Sequence, residues 1–362
     1  MRRALRTAAA AVLPLMVVTA CSGTTAVPDD TRQVVGVAMP TTTSDRWIAD
    51  AENVTTQLES LGFEVILEFA ENDPAAQVDQ LAAMLEAGAD ALVVGSVDGT
   101  ALTEVLAEAG ARDVPVVAYD RLIRDSADVA YYASFDNTRV GVLQGTSLLQ
   151  GLGVLDEAGA TTGADGPFHV ELFAGSPDDN NATFFWDGAL QVLQPYLDDG
   201  VLVVGSGQTT FEEAATQAWD PAVAAERMPT LLASYGDGVR LDGILSPYDG
   251  ISRAVIEAAS AELGYVPVVT GQDAEVDSAR LVAGGEQWST VYKDTRQLAE
   301  VTVGMVRALL AGDAPEVNDT STYDNGIRVV PSYLLTPQLV TVENVERVLV
   351  DGGYYTAEEI GR

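Results

Sequence analysis

The stretch VVGVAMPTTTSDRWIADAENVTTQLESLGFEVILEF (residues 34–69) determines the fold class. It opens with the apolar run VVGVAM, continues with a polar and apolar pattern from Asp45 to Leu61 that is typical of a helix, and closes with a second apolar run, FEVILEF. Short continuous apolar strands on either side of a helix are typical of parallel sheets that are covered on both faces. We therefore predict a strand–helix–strand unit here.

The same alternation continues along the chain and then starts again. ALVV (91–94) and VPVVA (114–118) are predicted strands, and Asn72-Asp73-Pro74 predicts a helix start, with a capping side chain before a proline in the first turn. From residue 168 a second series predicts strands at HVELFAG, VLVVG, GIL and VPVVT, with helices at 181–194, 219–233 and 250–262 between them. Two series predict an α/β protein with two doubly wound parallel-sheet lobes, whose ligands bind beyond the carboxyl ends of the strands.

Composition excludes several functions. The chain of 362 residues carries 54 acidic and 19 basic side chains, a net charge of −35, whereas nucleic-acid binding requires a basic surface. Its one histidine, His169, lies inside a predicted strand, and its one cysteine is Cys21. We therefore predict no His/Cys metal site, no Ser-His-Asp triad and no cofactor.

The first 20 residues have the pattern of an export signal. Three arginines precede an apolar segment, residues 8–18, that is too short to span a bilayer. The small residues before Cys21 are similar to the lipobox of bacterial lipoproteins, in which the cysteine carries a lipid. We predict a signal peptide over residues 1–20, lipidation of Cys21 and a linker over residues 21–32. An ordinary signal peptide with an unrelated cysteine is the alternative.

Polar and aromatic side chains follow the predicted strands. The candidates for ligand binding are Arg46, Trp47, Asp120, Arg121, Asn180, Asn181, Trp219, Asp249, Asp273 and Lys293, the only lysine of the chain. A hydroxyl both donates and accepts hydrogen bonds, so mixed carboxylates, amides and cations suit a neutral polyhydroxyl ligand, and an aromatic ring suits its C–H faces. The alternatives are structural salt bridges at single positions and paired carboxylates that hydrolyse glycosides.

At these loops the sequence resembles the type I periplasmic sugar-binding proteins of ABC importers, in the xylose and multiple-monosaccharide branch. The matching stretches are DRWIAD, AYDRLIRD, ELFAGSPDDNNA, LSPYDG, GQDAE and STVYKDTR. The resemblance implies that a sugar is contacted by Arg46, Asp120, Arg121, one or both of Asn180 and Asn181, Asp249, Asp273 and Lys293, with Trp47 or Trp219 stacked on its ring. This chain has Tyr248 where the xylose-binding proteins have an asparagine. The segment around Trp219 also differs from theirs in length and context.

The resemblance also implies three chain crossings between the lobes, near residues 136, 293 and 326. The predicted N-terminal lobe is 33–135 plus 294–325, and the C-terminal lobe is 136–293 plus 326–362. We expect Asp120 and Arg121 to pair with each other when the cleft is empty.

The resemblance implies that the protein is a monomeric lipoprotein on the outer face of the cytoplasmic membrane. It would bind a monosaccharide such as xylose, arabinose, galactose or glucose and present it to an ABC permease and ATPase. It would not be an enzyme. The alternatives are a receptor subunit that reports sugar to a signalling partner, and a carbohydrate-active enzyme.

Overall fold

Strands and helices alternate along the chain as the sequence predicts. The computed structural model describes residues 32–236 and 238–362, so the predicted signal peptide and Cys21 lie outside the described residues. The strands are β1 (Val34–Met39), β2 (Glu64–Phe69), β3 (Ala91–Val94), β4 (Val116–Tyr119), β5 (Val129–Phe135), β6 (Phe168–Leu172), β7 (Leu202–Val204), β8 (Gly243–Leu245), β9 (Val268–Val269), β10 (Ser289–Tyr292), β11 (Ser332–Leu335) and β12 (Gln338–Thr341). The helices are α1 (Asp45–Ser60), α2 (Pro74–Glu86), α3 (Thr103–Ala111), α4 (Asn137–Gly151), α5 (Asn180–Asp198), α6 (Phe211–Ala214), α7 (Pro221–Leu232), α8 (Asp249–Leu263), α9 (Val276–Gly284) and α10 (Thr295–Ala311), with a 3-10 turn at Gln217–Trp219 and a π-helical turn at Glu346–Val350.

A six-stranded sheet forms the first lobe, in the order β11-β5-β4-β3-β1-β2, and all its strand pairs are parallel. Alternate residues of β1 face opposite sides: Val35 and Val37 pack with α1 and α10, whereas Ala38 packs with α2 and α3. The sheet is therefore covered on both faces, which explains why its strands read as continuous apolar runs.

A four-stranded sheet, also parallel, forms the second lobe in the order β7-β6-β8-β9. Leu172 of β6 packs with α4 and α5 on one face, and Ile244 of β8 packs with α7 and α8 on the other. The predicted fold class, two doubly wound parallel-sheet lobes, is confirmed. Among the described helices, none is both long enough and apolar enough to cross a membrane.

The chain passes between the two sheets at three places. These are the junctions of β5 with α4, of β10 with α10 and of β11 with β12, and β10 and β12 form an antiparallel pair. The predicted third crossing near residue 326 is wrong, because Ser332–Leu335 pairs in parallel with β5 inside the first sheet. The chain therefore stays in the first lobe until Leu335. The other lobe bounds stay a prediction.

Local backbone conformation shapes the segment that carries Trp219. The predicted helix 219–233 begins instead at Pro221, where Asp220 accepts a hydrogen bond from the Ala222 N–H at 2.9 Å. Ala218 and Trp219 have φ values of 54° and 56°, in the left-handed region that such residues rarely adopt. This turn separates Trp219 from the helix and leaves its side chain at the cleft between the lobes.

Candidate functional site

A cavity of about 420 Å³ lies between the two lobes, within the range of small-molecule binding sites. The segments that follow β1, β2 and β4 form one wall, and those that follow β6, β7, β8, β9 and β10 form the other. Its lining residues are Thr41, Thr43, Ser44, Arg46, Trp47, Asn72, Asp120, Arg121, Asp179, Asn181, Phe185, Ala218, Trp219, Asp220, Pro221, Tyr248, Gln272, Asp273 and Lys293. The carboxyl ends of the strands in both sheets therefore meet at one site, as parallel sheets predict.

Asp120 lies at the centre of the first wall, directly after β4. Its φ of 59° is left-handed, and its carbonyl oxygen accepts hydrogen bonds from Tyr132, Ser134 and Asn181 at 2.5, 2.9 and 2.8 Å. Burial alone would raise the pKa of Asp120, but Arg46, Lys293 and Arg121 hold it well below its ordinary range. The carboxyl group is therefore ionised and acts only as a hydrogen-bond acceptor.

Arg46 enters the cavity from the first turn of α1. Its Nη2 donates to Asp120 Oδ1 at 2.5 Å, and its Nη1 lies 3.8 Å from Asp273 Oδ1. Its Nε lies 3.1 Å from Asp50 Oδ2, an ion pair that is not aligned as a hydrogen bond. Burial disfavours the charge, but the three carboxylates raise the pKa of Arg46 well above its usual value. The guanidinium is therefore held on several sides and stays charged.

Lys293 lies directly after β10, where the chain crosses back to the first lobe. Its side chain is 3% exposed, and its Nζ lies 2.9 Å from Asp273 Oδ1 and 3.8 Å from Asp120 Oδ1. The rings of Phe135 and Phe185 lie 5.9 and 5.7 Å from the ammonium. Asp273, another of the candidate residues, is therefore in direct contact with Lys293.

Arg121 does not pair with Asp120, so that part of the prediction is wrong. Its Nε lies 3.1 Å from Asp179 Oδ2 on the opposite wall, and its Nη1 donates to the Ser96 carbonyl at 3.1 Å. Asp120 is paired instead with Arg46, since consecutive side chains at a strand end point in different directions. Burial raises the pKa of Asp179, and Arg121 opposes that shift.

The two predicted asparagines differ in position. Asn181 lines the cavity: its Nδ2 donates to the Asp120 carbonyl, and its Oδ1 accepts from Asn137 Nδ2 at 2.8 Å and from Tyr132 at 3.1 Å. Asn180 is half-buried at the start of α5 and is not among the lining residues. The structure therefore brings only Asn181 to the site.

Asp249 requires a correction, because it lies behind the cavity wall. The residue is fully buried, its Oδ1 accepts from Gln287 Nε2 at 2.9 Å, and its Oδ2 accepts from the Glu275 N–H at 3.0 Å and from Thr290 Oγ1 at 2.9 Å. Burial, together with the nearby charge of Glu275, raises the pKa of Asp249 well above its usual value. These contacts hold the loop that carries Asp273, so Asp249 supports a lining residue and is not one itself.

Both candidate tryptophans line the cavity, in different ways. Trp47 is 5% exposed and packs in the core of the first lobe, and the guanidiniums of Arg46 and Arg121 lie 5.0 and 5.2 Å from its ring centre. Trp219 lines the other side, where Phe185 and Tyr248 meet it edge to face. Its indole Nε1 has no hydrogen-bond partner among the described residues.

Several lining residues were missed from the sequence. Asp179, Tyr248 and Gln272 are sequence neighbours of predicted residues, so their position in the same strand-end loops is the signal that identifies them. Ser44 occupies the N-cap position of α1, and this position gave no signal of a role in the site. In the part of the chain that the structure describes, no group of His, Cys, Asp or Glu side chains forms a metal site.

The fixed charges of the site nearly balance. Arg46, Arg121 and Lys293 face Asp120, Asp179 and Asp273, with Asp50 behind Arg46. A charged ligand would upset this balance of charges and would also lose its hydration. A neutral ligand with several hydroxyls can instead accept hydrogen bonds from the cations and donate them to the carboxylates. The arrangement therefore favours a neutral polyhydroxyl molecule.

Comparison with known proteins gives matches over nearly the whole described chain. Residues 35–314 match the family model described as periplasmic binding protein domain. The chain is 50% identical over 332 residues to the multiple sugar-binding periplasmic receptor ChvE of Rhizobium radiobacter, covering 90% of this chain and 92% of that protein. It is 31% identical to the D-xylose-binding periplasmic protein of Escherichia coli K12, with 90% and 92% covered.

A solved structure of a solute-binding protein is also similar to this chain in fold and sequence. An ABC transporter solute-binding protein from Clostridium phytofermentans, solved with bound β-D-glucose, superposes with a TM-score of 0.86 at 43% identity. The match covers 91% of this chain and 100% of that one.

Proposed function

This chain belongs to the periplasmic binding protein family, and we propose that it is the substrate-binding lipoprotein of an ABC sugar importer, which binds one monosaccharide between its lobes. The observation that carries the proposal is the balanced set of cations and carboxylates on both cavity walls, centred on Arg46, Asp120, Asp273 and Lys293. The sugar-binding names of the relatives and the glucose in a solved structure at 43% identity support the same ligand class.

The proposed roles follow from the contacts. The carboxylates of Asp120 and Asp273 accept hydrogen bonds from sugar hydroxyls, and Arg46, Arg121 and Lys293 donate to them. The second N–H of the Asn181 amide adds a donor, since only one has a partner in the fold. Trp219 and Trp47 pack against the C–H faces of the ring. Asn180 and Asp249 are not included, because neither lines the cavity.

The cellular setting is also part of the proposal. Residues 1–20 direct export, Cys21 carries the lipid, and residues 21–32 tether a monomer to the outer face of the cytoplasmic membrane. The lobes exchange chain near residues 136, 293 and 336. The partners are the permease and ATPase of the importer. The protein binds its ligand without transforming it: Asp120, Asp179 and Asp273 on the cavity wall are paired with cations, which makes them poor general acids.

Uptake of radiolabelled monosaccharide tests the import role. A strain that lacks this protein is expected to lose high-affinity uptake of the bound sugar, and the wild-type gene is expected to restore it. Sugar incubated with the purified protein is expected to return unchanged by mass spectrometry. Converted sugar would favour the enzyme alternative.

A sensory role is the second candidate, because one relative at 50% identity is named a receptor. Unchanged uptake in the deletion strain, together with loss of sugar-dependent transcription, would favour that role.

A further inference from the structure

Asp50 is a buried carboxyl group that lies behind the ligand cavity and does not line it. It sits on α1 one turn after Arg46 and is fully buried. Its Oδ2 lies 3.1 Å from Arg46 Nε, and its Oδ1 accepts a hydrogen bond from the Tyr119 hydroxyl. Neither Asp50 nor Tyr119 is among the candidate residues predicted from the sequence.

These contacts close a ring that includes the central carboxylate of the site. Tyr119 is the last residue of β4, and Asp120 follows it in the chain. Tyr119 holds Asp50, Asp50 holds Arg46, and Arg46 donates to Asp120 at 2.5 Å. The ring ties α1 to the end of β4 and sets an ion pair at the Nε edge of the guanidinium and a hydrogen bond at Nη2. The remaining N–H groups of Arg46 then face the cavity in a defined direction.

We propose that Asp50 is a positioning residue that orients Arg46 for sugar binding and makes affinity depend on the protonation of a group the sugar never touches. This inference rests on the proposed binding of a neutral sugar at Arg46. When ionised, Asp50 anchors the Nε edge of Arg46. When protonated, it loses the ion pair, and Arg46 is drawn towards Asp120 and Asp273, whose oxygens the sugar hydroxyls require.

The surroundings of Asp50 place its titration near neutral pH. Burial raises the pKa of Asp50 to about 7, opposed by Arg46 and by the Tyr119 hydroxyl. The charged and titratable groups that face it from the neighbouring elements are Arg46, Tyr119, Asp120, Lys293 and Tyr354. Among these, Asp120 stays ionised because its own pKa is held far below that of Asp50.

The expected effect on binding has a definite sign. If only the form with ionised Asp50 is competent, the apparent affinity scales with the ionised fraction, which rises about tenfold between pH 6 and pH 8 for a pKa of about 7. Affinity for a neutral sugar is therefore expected to rise over this range and to level off above it. Binding at pH 7 is expected to release part of a proton.

Stability gives a readout that needs no ligand. The ordinary pKa of Asp50 is 3.8, and the folded value is about 7. The folded state thus holds a proton that the unfolded chain has already lost, so the contribution of Asp50 to stability is fully present below pH 4 and is lost as pH rises to 7. The melting temperature of Asp50→Asn, relative to wild type, is therefore expected to increase from pH 4 to pH 7 and stay constant above. The other buried carboxyl groups with a raised pKa titrate in both proteins, so their effects cancel in this difference; they are Asp179, Asp249 and Glu275.

The test is calorimetric titration with glucose at pH 6, 7 and 8 in two buffers of different ionisation enthalpy. Wild type is expected to show the rise in affinity and the proton release, and Asp50→Asn is expected to show neither, with an affinity near the wild-type value at pH 6. Tyr119→Phe removes a hydrogen-bond donor to ionised Asp50, so the midpoint of the rise in sugar affinity is expected to move to higher pH. Asp45→Asn, an exposed carboxylate on the same helix, is the matched control and should match wild type.

The outcomes separate this inference from the proposed function. Absence of binding at every pH, for glucose and for other monosaccharides, would overturn the proposed function. Binding by wild type without pH dependence, with falling affinity at higher pH, or with the same dependence in Asp50→Asn would overturn the role of Asp50 alone. If Asp50→Asn does not fold, the Tyr119→Phe variant tests the role of Asp50: a midpoint of sugar affinity at higher pH supports that role, and an unchanged or lower midpoint overturns it.

Discussion

The Ser44 hydroxyl donates a hydrogen bond to Glu275 Oε1 at 2.6 Å and so joins the loop after β1 to the loop after β9 across the cleft. Ser44 is the N-cap of α1, yet its side chain caps none of the helix N–H groups. Glu275 is buried, and its other oxygen accepts from Arg253 Nη2 at 2.7 Å. The hydroxyl that would usually cap a helix serves here as a contact between the lobes.

Ser44→Ala should therefore speed the release of sugar without weakening the fold. A hydrogen bond to a charged group is worth roughly 1.5–3 kcal/mol, so the dissociation rate is expected to rise about ten- to a hundredfold by stopped-flow fluorescence. The melting temperature without sugar should change little, since no cap is lost. Ser60→Ala, at the exposed end of the same helix, is the control. An unchanged release rate would show that this contact does not hold the lobes together.

Asp120→Asn tests the central acceptor. The variant keeps the shape and tolerates the left-handed backbone, but it removes the charge that pairs with Arg46 and Lys293. Sugar affinity is expected to fall about ten- to a hundredfold, or roughly 1.5–3 kcal/mol, in calorimetric titrations. Asp125→Asn changes an exposed aspartate of similar backbone conformation and should bind as wild type does. Equal affinities in a folded Asp120→Asn protein would mean that the sugar binds elsewhere.

Lys293 gives a chemical measure of occupancy, because it is the only lysine of the chain. In a soluble form that begins after Cys21, the only amines are the N-terminus and Lys293. A limiting amount of an acetylating reagent is expected to label Lys293 less when the sugar is present, since the ligand shields the ammonium and the lobes stay closed. Mass spectrometry reads both amines, and the N-terminus is the internal control. Equal labelling of Lys293 with and without sugar would argue against its place in the site.

The predicted lipid anchor is tested by Cys21→Ala. The variant is expected to leave the membrane fraction and appear in the soluble fraction with unchanged sugar affinity, because the binding lobes begin after residue 32. Ser22→Ala should stay in the membrane fraction. A Cys21→Ala protein that remains with the membrane would contradict the lipobox interpretation.

The sequence predicts strands well where they are short apolar runs, as in β1, β3 and β4, and predicts a helix well where it has a clear start. At α2, for example, Asp73 accepts from the Ala75 N–H at 2.9 Å and Pro74 occupies the first turn, as the local pattern indicates. The position of β11 was missed, because a strand that returns to pair with β5 from far along the chain carries no local mark of its partner.

Eight of the ten candidate residues line the cavity, since strand ends of parallel sheets converge. The sequence did not predict which of these charged side chains pair with each other. Arg121 pairs with Asp179 from the other lobe, and Asp249 is covered by the loop before α9, which holds its carboxylate behind the wall. Both facts depend on how separate loops meet in space, and residue types at strand ends do not determine that.

The central claim is that the paired charges between the lobes bind one neutral monosaccharide. Its most direct test is calorimetric titration of the soluble, folded protein at pH 8 with glucose, galactose, xylose, arabinose and fucose. We predict binding of at least one of them with a stoichiometry of one and a Kd in the micromolar range or tighter, about −8 kcal/mol or more favourable. The absence of binding heat with all five sugars, from protein that melts cooperatively, would contradict the account.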